Sequence, residues 1–209
     1  MRIKKFAVGP YWTNCYVVCS EGKDAVVVDP GGPMREVKDF LNARGLNLKW
    51  VLITHGHPDH IAGTAEIRAL ASEGVAIHAL DAPCLTGGDK ALSRMMGTPE
   101  AVGAADCLLS DGDVIEAGEM KIRVIFTPGH TRGGCCFYIT EGSQELLISG
   151  DTLFARSIGR TDLPGGDEDE LYRSLERLSP FTDSLAVYPG HGPDTTIGDE
   201  RRLNPFWPR

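Results

Sequence analysis

The sequence predicts an α/β fold in which two mixed sheets pack together with helices on their outer faces. Two observations predict it. Strand-like runs and helical runs alternate along the chain, yet several neighbouring strands are joined by turns short enough to force antiparallel hairpins. A single doubly wound parallel sheet has no room for those hairpins, whereas two mixed sheets with outer helices do.

The elements follow in order. Arg2 to Val8, Cys15 to Ser20 and Ala25 to Asp29 read as strands, the last a β-branched run stopped by Pro30-Gly31-Gly32. A helix is expected from Pro33 to about Ala43, with proline in its first turn, Met34, Val37, Phe40 and Leu41 at helical spacing, and Gly45 after its end. Leu48 to Ile53 is a buried strand, Asp59 to about Ser72 a second helix, and Val75 to Ala79 a short strand. Residues 83–103 are the least regular stretch, with one or two helical turns in which Met95 and Met96 are expected to pack inward in preference to the alternative, an apolar rim over the chemistry-bearing residues. A hairpin over Asp113 to Phe126 turns at Ala117-Gly118, and strands Cys135 to Thr140 and Glu145 to Ser149 flank a Glu141-Gly142-Ser143 turn. A helix from about Asp167 to Leu178, a strand at Leu185 to Tyr188 and a short helix near Asp199 complete the series.

Composition narrows the function classes. With 209 residues, 42% hydrophobic and 24% charged, the expectation is one globular domain over residues 1–209. The longest aliphatic run, Ala25 to Val28, is far below the roughly 20 residues of a membrane span. The start of the chain lacks the apolar stretch of a secretory signal, so a cytoplasmic location is expected. A net charge of −8 opposes nucleic-acid binding. Six cysteines without a C-x-x-C pair read as buried small hydrophobes; adjacent Cys135 and Cys136 point to opposite faces of one strand.

The chemistry lies in Thr54-His55-Gly56-His57-Pro58-Asp59-His60, which holds three of the chain's six histidines. A buried strand delivers His55 and His57 to one ion, while Asp59 and His60, in the first turn of a helix begun by Pro58, face a second. Three more potential ligands follow strand-like runs and glycine turns: His130 after Thr127-Pro128-Gly129, Asp151 after Ser149-Gly150, and His191 after Pro189-Gly190. Together these are enough for two metals sharing a bridge. His78 fits no ligand position and reads as a packed or surface histidine.

This T-H-x-H-x-D-H motif, followed by a lone His, Asp and His on later strand ends, resembles the metallo-β-lactamase superfamily over essentially the whole chain. The resemblance implies an αββα sandwich with the site at one edge between the sheets. It implies His55, His57 and His130 on one metal, Asp59, His60 and His191 on the other, and Asp151 bridging, with Asp59 and Asp151 as the catalytic carboxylates. Asp29 matches an early Asp that braces the histidine loop by hydrogen bonding. Two divalent ions are implied, zinc first and iron or manganese as substitutes, and they leave the pocket attractive to anions in an acidic protein.

Within that superfamily, Gly150 to Asp162 resembles the glyoxalase II group, where a basic residue nine positions after the bridging Asp contacts the glutathione carboxylate. Arg160 holds that place, with Asp162 beside it where the group commonly has Tyr. The alternative role for Arg160 is pairing with Asp162 or Asp167. Only 18 residues follow His191, so no helical glutathione-binding domain is expected, as in short single-domain relatives. The expected activity is metal-dependent hydrolysis of an anionic acyl thioester, S-lactoylglutathione foremost, by a metal-bridging hydroxide. A mononuclear-iron persulfide dioxygenase is the main alternative, since it uses residues matching His55, His130 and Asp151. A lactonase commonly has Tyr where Phe154 stands, and a β-lactamase lacks the bridging Asp; a non-catalytic binding module has no need of the full ligand set. Phe206 and Trp207 are expected to pack on the body or to enter a homodimer contact.

Overall fold

Valine-rich strands buried on both faces organise the chain. The computed structural model describes residues 1–88 and 90–208; residue 89, within the irregular stretch expected over 83–103, and residue 209 lie outside the described residues. The first half runs β1 (Arg2–Val8), β2 (Thr13–Cys19), β3 (Asp24–Val28), α1 (Arg35–Arg44), β4 (Asn47–Ile53), α2 (Pro58–Ile61), α3 (Thr64–Ile67), β5 (Gly74–His78), α4 (Ala82–Leu85), α5 (Lys90–Met96) and β6 (Cys107–Leu109). The second runs β7 (Val114–Ala117), β8 (Met120–Phe126), β9 (Cys135–Glu141), β10 (Gln144–Gly150), β11 (Leu153–Phe154), β12 (Ser157–Ile158), α6 (Glu168–Glu176), β13 (Ala186–Pro189), β14 (Thr195–Thr196) and α7 (Ile197–Leu203).

Both six-stranded sheets are mixed, in the orders β1-β2-β3-β4-β5-β6 and β14-β13-β10-β9-β8-β7. In the first, β1, β2 and β3 pair antiparallel, while β3 to β6 run parallel. In the second, only β10 and β13 are parallel neighbours. Alternation along a strand builds three apolar layers. On β3, Val26 and Val28 face the second sheet beside Phe137 and Ile139, whereas Ala25 and Val27 face Met34, Val37 and Leu41 near α1. On β9, Cys135 joins the layer between the sheets and Cys136 joins Leu175, Leu178 and Trp207 on the outside. The order is helix, sheet, sheet, helix. Truncating a side chain such as the fully buried Phe137 to Ala at the centre of this stack is expected to cost about 3–5 kcal/mol.

Two readings are corrected. The helix expected from Asp59 to Ser72 is broken into α2, α3 and a 3-10 turn, because at Gly63 the chain turns aside to donate its N–H to Pro30 O at 2.7 Å. Met95 and Met96 do not pack inward: Met95 is 71% exposed, and both open onto a cleft at the end of the sandwich. His78 is packed, stacked on Phe126 with ring centroids 4.3 Å apart. Trp207 is buried and Phe206 partly exposed. No disulfide joins the six cysteines, and four of them are buried.

Candidate metal centre

Every potential ligand leaves the C-terminal end of a strand. β3 and β4 run parallel, and β8, β10 and β13 share one direction through the antiparallel β9. The ends of β3 and β4 therefore meet the ends of β8, β10 and β13 along one edge. Asn14 and Tyr16 on β2 fasten that edge: Asn14 N donates to Gly190 O at 2.7 Å, and Tyr16 Oη to Pro189 O at 2.7 Å.

The structure brings all seven residues together. Donor atoms of His55, His57 and His130 lie within 4.8 Å of one another, as do those of Asp59, His60 and His191, and those of His55, His60 and Asp151. Asp151 lies between the sets: Oδ1 is 3.4 Å from His60 Nε2, while Oδ2 is 3.5 Å from His130 Nε2 and 3.6 Å from His191 Nε2. His55 Nε2 stands 3.2 Å from His57 Nδ1, and His191 Nε2 3.3 Å from Asp59 Oδ2. Ligands at about 2.0–2.2 Å from a tetrahedral ion are separated by about 3.3–3.6 Å, so these gaps fit divalent ions.

Hydrogen bonding fixes which nitrogen faces inward. Asp29, buried at a left-handed φ of 52°, accepts from Thr54 N at 2.8 Å, Thr54 Oγ1 at 2.7 Å and His60 Nδ1 at 2.9 Å. A carboxylate can only accept here, so His60 Nδ1 carries a proton and Nε2 is the nitrogen turned inward. Thr54 Oγ1, having donated to Asp29, accepts from His55 Nδ1 at 3.1 Å, which frees His55 Nε2. His130 Nδ1 donates to the backbone oxygen of Arg160 at 2.6 Å. Its Nε2 is then buried with no hydrogen-bond partner, and Asp151 Oδ1 is in the same condition. Buried lone pairs without a donor are costly, and a cation satisfies them.

The charges make the same demand. Burial lowers the proton affinity of His55 and His57, neighbouring histidines add to it, and His57 falls to about 3. Burial also disfavours charge on His60, but the carboxylates of Asp151, Asp59 and Asp29 outweigh it and lift His60 to about 10. Asp59 is held below the usual carboxylate range: burial opposes its charge, and His60 and His191 prevail. A proton on His60 meets a need for positive charge that a divalent ion meets better.

The sequence profile of the Metallo-beta-lactamase superfamily matches residues 8–191. The chain belongs to that superfamily. Similar curated relatives of this metallo-β-lactamase superfamily member include an uncharacterized protein of Mycobacterium leprae, 40% identical over 99% of this chain and 98% of the relative. A probable metallo-hydrolase, YqgX, of Bacillus subtilis is 33% identical over 99% and 97%. Hydroxyacylglutathione hydrolase GloC of Haemophilus influenzae is 32% identical over 99% and 98%. Among solved structures, BLEG-1 B3 metallo-beta-lactamase superposes with a TM-score of 0.90 at 36% identity, covering 98% of this chain and 99% of that one. TTHA1623 in a di-iron-bound form gives 0.85 at 35%, covering 97% and 99%. ETHE1 from Myxococcus xanthus gives 0.79 at 28%, covering 98% and 84%.

The superfamily fold opens its site into a cleft of about 470 Å³ lined by Tyr11, Met95, Met96, Phe154, Ile158 and Leu163 above the donors. Arg160 is at its rim. Its guanidinium makes two 2.7 Å hydrogen bonds to Asp162, and its side chain is 62% exposed. The alternative partner, Asp162, is thus the one the structure shows.

Three further residues shape the metallo-β-lactamase centre without a signal in the sequence. Asp81, 4% exposed, accepts from Gly56 N at 2.8 Å, Thr131 Oγ1 at 2.7 Å and Gly133 N at 2.7 Å, tying the histidine loop after β4 to the loop that carries His130. Thr13 Oγ1 donates to Asp59 Oδ2 at 3.2 Å, and Asn14 Nδ2 donates to Pro189 O and Gly192 O on either side of His191. Their only common mark in the sequence is a polar residue at a strand end, too frequent to single them out.

Proposed function

We propose that this chain hydrolyses acyl thioesters with the help of two divalent ions, zinc first, and that S-lactoylglutathione is the reference substrate for testing it. The observation that carries the reading is the convergence of seven donors on the floor of an open cleft, with His130 Nε2 and Asp151 Oδ1 buried and without a hydrogen bond. In this reading His55, His57 and His130 would hold one ion, Asp59, His60 and His191 would hold the other, and Asp151 would serve both. The ions, when bound, polarise an acyl oxygen and lower the pKa of water to about 7. The residues do the rest. Asp29 keeps the Nε2 lone pairs of His55 and His60 turned inward through Thr54 and through its own contact. Thr13 holds the Asp59 carboxylate, and the Arg160 backbone oxygen holds His130. A thiolate leaves without a general acid, because a thiol of pKa about 8.5 departs readily as the anion. The similarity to GloC supports this reading.

The test is metal analysis of purified protein followed by turnover of a panel: S-lactoylglutathione, acyl-CoA esters, a lactone, a β-lactam and glutathione persulfide. Thiol release from thioesters, abolished by chelation and restored by zinc, is expected. No thiol release from any thioester by metal-replete protein overturns the proposal. The likeness to ETHE1 favours the mononuclear-iron persulfide dioxygenase as a second reading, and oxygen uptake with glutathione persulfide decides for it. The β-lactam arm tests the activity named for BLEG-1.

A further inference from the structure

The cleft has two ends of opposite chemistry. Its floor is the donor cluster, and its walls and mouth are apolar: Tyr11 and Met95, 44% and 71% exposed, stand with Met96, Phe154, Ile158 and Leu163 around one opening. Exposed large apolar side chains gathered on one concave surface mark a binding site, and paired methionines adapt to an apolar guest of variable shape.

Among the described residues, Arg160 is the one lysine or arginine lining this cleft. Asp162 already satisfies it bidentately. Turning Arg160 toward a substrate carboxylate leaves the Asp162 carboxylate beside that same group, so the exchange brings little net attraction. Glutathione presents two carboxylates and an ammonium, and beyond the donor cluster the described residues of the cleft offer them no unopposed charged partner, only the hydroxyls of Tyr11 and Ser157.

We infer that the thioester this site is built for carries an apolar, uncharged arm into the cleft, and that glutathione is a poor fit to it. The inference rests on the hydrolase reading for its reaction but not for its binding chemistry.

The test pairs turnover with binding. For turnover, metal-replete enzyme is given acyl thioesters of N-acetylcysteamine with two- to eight-carbon acyl chains, beside S-lactoylglutathione. Each added methylene is expected to raise kcat/KM by about fourfold until the cleft is filled. The Met95→Ser, Met96→Ser double variant flattens that slope. Asp162→Asn frees Arg160 and shifts the ratio of kcat/KM values several-fold toward S-lactoylglutathione. For binding, calorimetry compares two non-hydrolysable thioethers with the same alkyl arm, S-hexyl-N-acetylcysteamine and S-hexylglutathione; the uncharged one is expected to bind at least as tightly. A flat chain-length series, or a Kd tenfold lower for S-hexylglutathione, overturns the inference while leaving the hydrolase reading in place. Absence of thiol release from every thioester, with S-hexyl-N-acetylcysteamine still bound preferentially, overturns the hydrolase reading and upholds the cleft chemistry.

Discussion

Asp29 acts on the centre at one remove, and its effect is measurable. It accepts three hydrogen bonds and through them orients His55 and His60. Asp29→Ala is expected to weaken metal affinity 10- to 100-fold, read as a competition curve against a chromophoric chelator, with a smaller effect on fold. Asp81 differs in kind, since its three bonds join two loops. Asp81→Asn preserves shape but turns an amide N–H₂ toward groups that also donate, leaving at least one of them unpaired at a cost of about 3 kcal/mol. Denaturant unfolding at fixed metal concentration checks this; a change under 1 kcal/mol would show that the loops hold without it. The seven donors were legible in the sequence because five of them are among the chain's six histidines and all are clustered or placed after glycine turns. Asp81, Thr13 and Asn14 were not, because their partners lie 25 to 178 positions away along the chain and only the sheet pairing brings them close.

At the scale of elements, the strand ends matter more than the strands. Gly190, where β13 gives way to His191, has no space for a side chain: a Cβ would lie 2.2 Å from Asp151 Oδ1 and 2.7 Å from His60 Cε1. Gly190→Ala is therefore expected to leave the sheets intact by circular dichroism while lowering bound metal below the wild-type stoichiometry; full occupancy would show that Asp151 can move aside freely. Gly31 acts similarly, its Cβ position 1.7 Å from Asp59 O, and this close approach lets the Pro30 to Gly32 loop lie against α2. The strands were readable because valine runs and turn residues bound them. The break of the long helix at Gly63 was not, because it answers a carbonyl of the Pro30 loop rather than anything within the helix. For Met95 and Met96 the rim alternative holds over the favoured core reading for a related reason: an apolar residue in a short helix reads as core unless the cleft beside it is known.

At the scale of the molecule, the protonation balance gives a stability profile for metal-free protein. His57 and His55 are depressed below the unfolded value of about 6.5, so folding loses stability as pH falls from there toward 3. His60 is raised to about 10, so its stabilisation is complete below pH 6.5 and is lost as pH climbs through 10. The melting temperature of the chelated protein is expected to peak near pH 6.5. Zinc is expected to add more stability at pH 8 than at pH 6, because ligation displaces the His60 proton; a Tm gain independent of pH would contradict this. The chain crosses between the sheets once, between Leu109 and Val114, so β1 to β6 and β7 to β14 are contiguous stretches of sequence. His55, His57, Asp59 and His60 precede that crossing, and His130, Asp151 and His191 follow it. A chain severed there would distribute the centre over two fragments, neither with a complete set of ligands, and metal would act as the clasp that reports their reunion.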